Sequence, residues 1–350
     1  MHTPDMRIAI VGAGAIGCRI AAHLAQRGTT TTLFDAWPEH VRALSSLGLA
    51  FERDGVVQHW PVRAFAADAP PDETFDLVLL AVRSDATAAM LPLVRRLLAA
   101  DGCVVSCQNG INEGAIAQAV GAQRTLGCSM VMGARLTGPG QVRVLEGADT
   151  LRIGELDGSR SERVIRLAEL LSACGTATVT QNLLGYRWMK LVLNATGNPL
   201  LLLSGQTAAS LHESAEVRRA IIALAGEILA TATGAGIEVE PVLGAPTRQW
   251  LAPYAGEDTE LHARLLAHGE ALGPRRLSMT ADFEARGRTE VEHINGYVVA
   301  EAIAQGRAAP LNAWVLQAVK ALEAGTVGQG WETLDPLLAL YRSLSSTRRA

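Results

Sequence analysis

Apolar residues recur in two different rhythms along this chain, and the rhythm changes near residue 182. Arg7 to Val11 (RIAIV) predicts a short buried strand. A helix-period segment through Ile20, Ala21, Leu24 and Ala25 follows, with Gly28 as its C-cap, and Thr30 to Phe34 predicts a second strand. Phe75 to Val82 (FDLVLLAV) is almost continuously apolar, as a central parallel strand should be. Ala88 to Ala100 predicts a helix and Gly102 to Cys107 a strand. Leu126 to Met132, Gln141 to Leu145 and Leu151 to Gly154 predict later strands, with a turn at Gly138-Pro139-Gly140. Ser161 to Ala173 reads as a helix and Thr176 to Thr180 as a last strand. Beyond Asn182 only helical periodicity remains, through Glu213 to Ala232, Thr259 to His268, Thr289 to Ala304 and Asn312 to Leu322. The expected organisation is an α/β domain over residues 1–182 and an all-α domain over residues 183–350.

The join between the first strand and first helix carries chemistry. It reads Gly12-Ala13-Gly14-Ala15-Ile16-Gly17, a G-x-G-x-x-G in the order strand, glycine loop, helix, strand. Gly12 serves a tight turn, Gly14 lets the backbone approach a pyrophosphate, and Gly17 lets helix and strand pack closely. The helix start offers N–H groups and a positive dipole end to phosphates. The first domain is therefore expected to be a Rossmann domain binding NAD or NADP. Asp35 ends the second strand, 18 residues after Gly17. A carboxylate there accepts from ribose hydroxyls and repels a 2′-phosphate, which favours NAD; Arg42 and Arg53 are the cations that would meet a phosphate instead. Arg83 and Asn109 follow two other strands at their carboxyl ends, where open α/β sheets bind ligands. Asn109-Gly110 is equally a common turn pair.

In the second domain, Lys190, Asn194 and Asn198 are spaced i, i+4, i+8 along RWMKLVLNATGN. On a helix they share one face: a cation and two amides, which spacing alone reads first as a solvated face and second as a site for a small polar oxygen compound. Pro199 is expected to end that helix, because proline disfavours a helical residue before it. Ser278 and Glu290 add a hydroxyl and a carboxylate 12 residues apart. Ser278 reads as a loop or cap residue, and Thr289 as a cap that leaves Glu290 in the first turn of the next helix.

Composition narrows the classes. Of 350 residues 49% are hydrophobic and 19% charged, with net charge −4 and no basic run, so nucleic acid is not an expected partner. No apolar run has membrane-spanning length, and no apolar signal core precedes the first strand. Five cysteines without ligand-like clustering point to reduced thiols in a cytoplasmic protein without a metal.

Taken together these stretches resemble the ketopantoate reductase (2-dehydropantoate 2-reductase) family from about Met6 to Glu323. The shared features are the glycine fingerprint, Gln108-Asn109-Gly110, Lys-x3-Asn-x3-Asn-Pro at Lys190 to Pro199, Ser-Met-x2-Asp at Ser278 to Asp282, and Thr-Glu-x3-Ile-Asn-Gly at Thr289 to Gly296. The resemblance implies a Rossmann domain followed by a helical domain, with Lys190 as proton donor. It also implies Asn109, Asn194, Asn198 and Ser278 as substrate-holding residues, Glu290 as an acidic residue near cofactor and substrate, and Gly133 as a cofactor-contacting backbone position. The chain departs from the family in three places. Phe34-Asp35-Ala36 stands where a basic residue is common, Arg83 where many members have lysine, and no asparagine matches near Thr207 and Ala208. The expected reaction is hydride transfer to a 2-keto acid, most simply 2-dehydropantoate to pantoate, by a homodimer. The alternatives are an NAD-dependent dehydrogenase of another 2-keto or hydroxy acid, and a non-catalytic nucleotide sensor. Arg187, Arg275 and Arg276 are the candidates for a carboxylate clamp.

Overall fold

The structure, a computed structural model, describes residues 6–274 and 277–349. It divides after Leu183 into two compact units.

The first unit runs β1 (Ile8–Val11), α1 (Ala15–Gln26), β2 (Thr32–Asp35), α2 (Pro38–Leu47), β3 (Leu49–Arg53), β4 (Val56–Trp60), β5 (Arg63–Ala66), β6 (Phe75–Leu80), α3 (Thr87–Leu97), β7 (Leu98–Ser106), α4 (Glu113–Val120), β8 (Thr125–Gly138), β9 (Gln141–Glu155), α5 (Glu162–Leu171) and β10 (Thr176–Val179). Among the described residues these strands form one sheet in the order β4-β3-β9-β8-β7-β6-β1-β2-β5, with β10 beside β9. The stretch β8-β7-β6-β1-β2-β5 is parallel throughout. From β1 the chain builds to one side through β2 and then returns to build the other side from β6. The loops after β1 and β6 therefore part at a topological switch point, leaving a crevice at the carboxyl ends of the strands. β1 buries both faces: Ile8 and Ile10 join one core with Ile20 and Leu24, Ala9 and Val11 the other with Val94 and Leu97.

Three expectations are corrected here. The segment from 36 to 66, left without elements by the apolar pattern, holds α2, β3, β4 and β5. β4 lies at the end of the sheet with Val56 and Val57 exposed, so no alternation marks it. The predicted helix Ala88 to Ala100 stops at Leu97, because Leu98 leaves it to pair with Phe75 across a register break and is buried there. Gln141 to Leu145 and Leu151 to Gly154 are parts of one strand, β9, whose antiparallel partner β8 accommodates both through a shift between Val131 and Gly133.

The second unit comprises α6 (Leu183–Ser204), α7 (Ala208–Glu213), α8 (Ala215–Gly234), α9 (Thr247–Trp250), α10 (Thr259–Leu272), α11 (Ser278–Arg286), α12 (Val291–Ala304), α13 (Pro310–Glu323) and α14 (Asp335–Arg349). Side chains set several starts: Ser214 caps α8 by accepting from the Val217 N–H, and Asp258 caps α10 by accepting from Glu260 and Leu261. Among the described residues no helix is long and apolar enough to cross a membrane.

α6 does not end at Asn198. It continues through Pro199 to Ser204. A proline inside a helix costs about 3 kcal/mol. Leu200, Leu201, Leu202 and Leu203 follow it and are all buried. Each buried leucine contributes roughly 1.5–3 kcal/mol, so burial of the four outweighs the proline and the helix runs on.

Candidate active site

The glycine loop has the shape a dinucleotide needs. Gly12 adopts φ +99°, and a Cβ there would lie 2.7 Å from the Val82 nitrogen. Only glycine fits where the loops after β1 and β6 meet. A Cβ at Gly17 would overlap the Gly12 carbonyl oxygen, whereas a Cβ at Gly14 would meet nothing within 4 Å. The loop is thus packed shut behind and open at Gly14, a cradle that a side chain would fill. Gly14 caps α1 without a side-chain bond, so no side chain occupies the N–H groups of the first turn, which suits a pyrophosphate. Ala13 is buried, and its carbonyl accepts from His40 Nε2 at 2.8 Å and from Cys18 Sγ at 3.0 Å. Ala15 and Ile16 open α1, half-buried.

His40 escapes sequence reasoning, since nothing in its spacing ties it to the loop. It is wholly buried, and its Nδ1 accepts from the Gly140 N–H at 2.9 Å. Because Gly140 N only donates, Nδ1 carries the lone pair and Nε2 the proton, so the ring is the neutral Nε2–H tautomer. Burial pushes His40 below its ordinary value, against the opposing pull of Asp35 and of its bond to Ala13. Burial likewise lowers His23, His212 and His268. An unfolded chain then takes up protons near pH 6.5 that the fold refuses, so stability is full above that pH and is lost as pH falls below it. The expected result is a thermal-unfolding midpoint that drops between pH 7.5 and 5.5, and drops less in His40→Gln. An identical pH slope in both would remove His40 from this role.

Asp35 ends β2, half-buried, and one carboxylate oxygen accepts from the Trp37 N–H at 2.9 Å. A carboxylate has further acceptor capacity for ribose hydroxyls. Arg42 and Arg53 are engaged at the surface with Glu39 and Asp54. Arg83 follows β6 and pairs with Asp85 at 3.3 Å. Asn109 follows β7, half-buried, on a backbone that is clamped from two directions. Ser84 Oγ donates to the Asn109 carbonyl at 2.7 Å, and Asn112 Nδ2 donates to it at 2.8 Å. Gln108 Nε2 reaches across to the Val82 carbonyl at 3.1 Å and to Thr87 Oγ1 at 2.7 Å. The loops after β6 and β7 are thereby tied into one polar rim. Gln108 stands in a legible motif; Ser84, Thr87 and Asn112 do not. Gly133 lies within β8, where a Cβ would come within 2.9 Å of the Leu145 Cβ. Its carbonyl accepts at 2.7 Å from Arg19, a buried cation that also pairs with Asp149.

In the second unit α6 presents Lys190 and Asn194 half-buried and Asn198 nearly buried. Asn198 Nδ2 donates to Ser278 Oγ at 3.3 Å. Ser278 is the exposed first residue of α11 rather than a loop residue. Two expected site residues 80 positions apart are thus brought together. Glu290 is buried and lies just before α12, not in its first turn. Thr289 holds that turn: its Oγ1 accepts from the Val291 N–H, and its N–H and hydroxyl both donate to Glu323 Oε1 at 2.7 Å. Lys320 pairs with the other oxygen of Glu323 at 2.9 Å. α12 reaches α6 through Asn295, which donates to the Ala195 carbonyl, and through the rings of Tyr297 and Trp188. Of the clamp candidates, Arg187 is buried in α6; Arg275 and Arg276 lie outside the described residues.

Comparison with known proteins agrees with this geometry. Residues 8–158 match the family model described as ketopantoate reductase PanE/ApbA, and residues 182–323 match its C-terminal counterpart. A 2-dehydropantoate 2-reductase from Mesorhizobium japonicum is 34% identical over 228 residues, 59% of this chain and 69% of that one. Among solved structures, D-mandelate dehydrogenase with NADH and anilino(oxo)acetate is 25% identical, with a TM-score of 0.80 over 91% of this chain and 99% of that one. A PanE/ApbA family ketopantoate reductase from Ralstonia eutropha is 26% identical, with a TM-score of 0.77 over the same shares.

Proposed function

The chain belongs to the ketopantoate reductase family, oxidoreductases acting on CH–OH groups that use a nicotinamide cofactor on a 2-keto acid, and on that footing we propose that it reduces 2-dehydropantoate to pantoate with Lys190 as proton donor. The observation that carries this reading is the bond between Asn198 and Ser278 on the face of α6 that also bears Lys190 and Asn194. It sets a cation, two amides and a hydroxyl on one small surface.

A dihydronicotinamide held at the Gly12–Gly17 loop would supply a hydride to the keto carbon. As charge builds on the carbonyl oxygen, the Lys190 ammonium stabilises it and delivers the proton that makes the alcohol. An ammonium is a reluctant proton donor in water, and desolvation by bound substrate eases release. Glu290 orients that cation and the substrate hydroxyl rather than relaying protons. Asn109, Asn194, Asn198 and Ser278 hold the substrate's carboxylate and hydroxyl. Gly12 through Gly17 receive the pyrophosphate, Asp35 the adenosine ribose, and Arg83, Gly133 and Asn109 line the remainder of the cofactor. The first unit is thus the cofactor domain and the second the substrate and dimerisation domain. A cytoplasmic homodimer is the proposed form, supported by free cysteines among the described residues and by the prevalence of two-fold assemblies.

Asp35 makes NAD the proposed cofactor. Initial rates with NADH and NADPH should favour NADH, and Asp35→Ala should shift the ratio of kcat/KM values toward NADPH by about tenfold, the effect of roughly 1.4 kcal/mol of relieved repulsion. A wild-type preference for NADPH would overturn the NAD assignment and leave the reaction standing.

A second substrate reading has its own support. An aryl 2-keto acid is the alternative substrate, as befits a chain similar to D-mandelate dehydrogenase. Turnover of phenylglyoxylate against 2-dehydropantoate, by kcat/KM, decides between the two.

A further inference from the structure

The passage of α6 through Pro199 leaves a gap in its own ladder. Proline has no N–H, so the carbonyl of Ala195, four residues back, loses its main-chain donor, and the ring crowds that carbonyl. The gap is filled from another helix. Asn295 on α12, wholly buried, donates from Nδ2 to the Ala195 carbonyl at 3.1 Å.

The direction of that amide is dictated by what stands behind it. The second hydrogen of Asn295 Nδ2 goes to Asn312 Oδ1 at 3.0 Å. Asn312, also wholly buried, donates from its own Nδ2 to Glu227 Oε2 at 2.8 Å and to the Leu224 carbonyl at 3.3 Å. Glu227 accepts the backbone N–H groups of Leu311 and Asn312 at 2.9 and 3.0 Å, in the first turn of α13, where a negative charge is favoured. A carboxylate and a carbonyl only accept. Asn312 must therefore turn its NH2 to them and its oxygen to Asn295, and Asn295 must offer its NH2 to both Asn312 and Ala195. The network joins α6 to a helix N-terminus, with donation diverging from Asn295 and converging on Glu227.

Ala195 follows Asn194 directly and lies three residues before Asn198. The turn that Asn295 holds is the turn that aims both amides. We propose that Asn295 is a positioning residue for substrate binding: its side-chain amide replaces the hydrogen bond removed by Pro199 and fixes the directions of Asn194 and Asn198. This rests on the reading that those two asparagines hold the keto acid.

The test is a rescue. Asn295→Ala should raise KM for 2-dehydropantoate about tenfold or more, the scale of one lost hydrogen bond to a buried carbonyl. kcat should change less, and the Kd of NADH should stay unchanged. Adding Pro199→Ala to Asn295→Ala returns a main-chain N–H to the Ala195 carbonyl and should restore KM most of the way, while Pro199→Ala alone should leave KM near wild type. Where Asn295→Ala alone does not give folded protein, recovery of folded, active protein in the double variant is the same rescue. An unmoved KM in Asn295→Ala overturns the proposal, and so does a double variant as impaired as the single one. Asn198→Ala measured in parallel separates the two levels. If its KM rises while that of Asn295→Ala does not, only the positioning role fails. If its KM is unmoved, the substrate-holding reading fails.

Discussion

Lys190→Ala should lower kcat by about 100-fold or more, the usual scale for removing a general acid, with a smaller change in KM. The reason is the timing of the charge. The ground-state ketone is neutral, and its oxygen needs a cation only as the hydride arrives, so the loss falls on the transition state. Lys190→Arg is a sharper probe. It keeps the charge but a guanidinium holds its proton far more tightly than an ammonium, so it should recover little of the rate. Steady-state kcat for the three proteins checks this. A Lys190→Arg enzyme near wild type would show that charge alone suffices and that no proton passes from this residue. A fully active Lys190→Ala would remove Lys190 from the chemistry.

Gly17→Ala should sharply weaken cofactor binding. A methyl at that position overlaps the Gly12 carbonyl oxygen, and Gly12 is itself closely packed, since even a Cβ there would lie 2.7 Å from the Val82 nitrogen. Either α1 moves off β1 or the loop is deformed, and each closes the cradle at Gly14. Overpacking of this kind costs about 1–3 kcal/mol or more where backbone is the obstacle. Titration of NADH fluorescence should show Kd raised by at least about tenfold. Gly14→Ala is the contrast: its Cβ meets nothing in the protein, so the fold should keep its melting temperature while NADH affinity falls. A Gly14→Ala variant that binds NADH as wild type does would show that no phosphate comes near this position.

The two units differ in how plainly the chain announces them. β1, α1 and β2 were legible because local chemistry decides them: a buried apolar run, a glycine loop whose φ and close contacts admit no side chain, and a second run ending in Asp35. β4 was not, since it lies at the sheet's end with exposed valines and no alternation to read. Lys190, Asn194 and Asn198 could be placed on one helix face by spacing alone. That Ser278 would meet Asn198 could not be read from spacing, because the contact joins helices 80 residues apart.

Periodicity and composition by themselves determined an α/β domain followed by helices, a nucleotide loop at Gly12 to Gly17, and a polar stripe on one helix. These depend on neighbours within a turn or a strand, and such neighbours are adjacent in the chain. Tertiary structure alone decided that α6 would outlast Pro199, that His40 would hold the Ala13 carbonyl, and that Asn295 would supply a donor to Ala195. In the first case four buried leucines outweigh the proline; in the other two a buried polar group must find a partner, which comes from wherever packing brings one within about 3 Å. That requirement leaves no local trace, since the residue that meets it can stand a hundred positions away, as Asn295 does from Ala195.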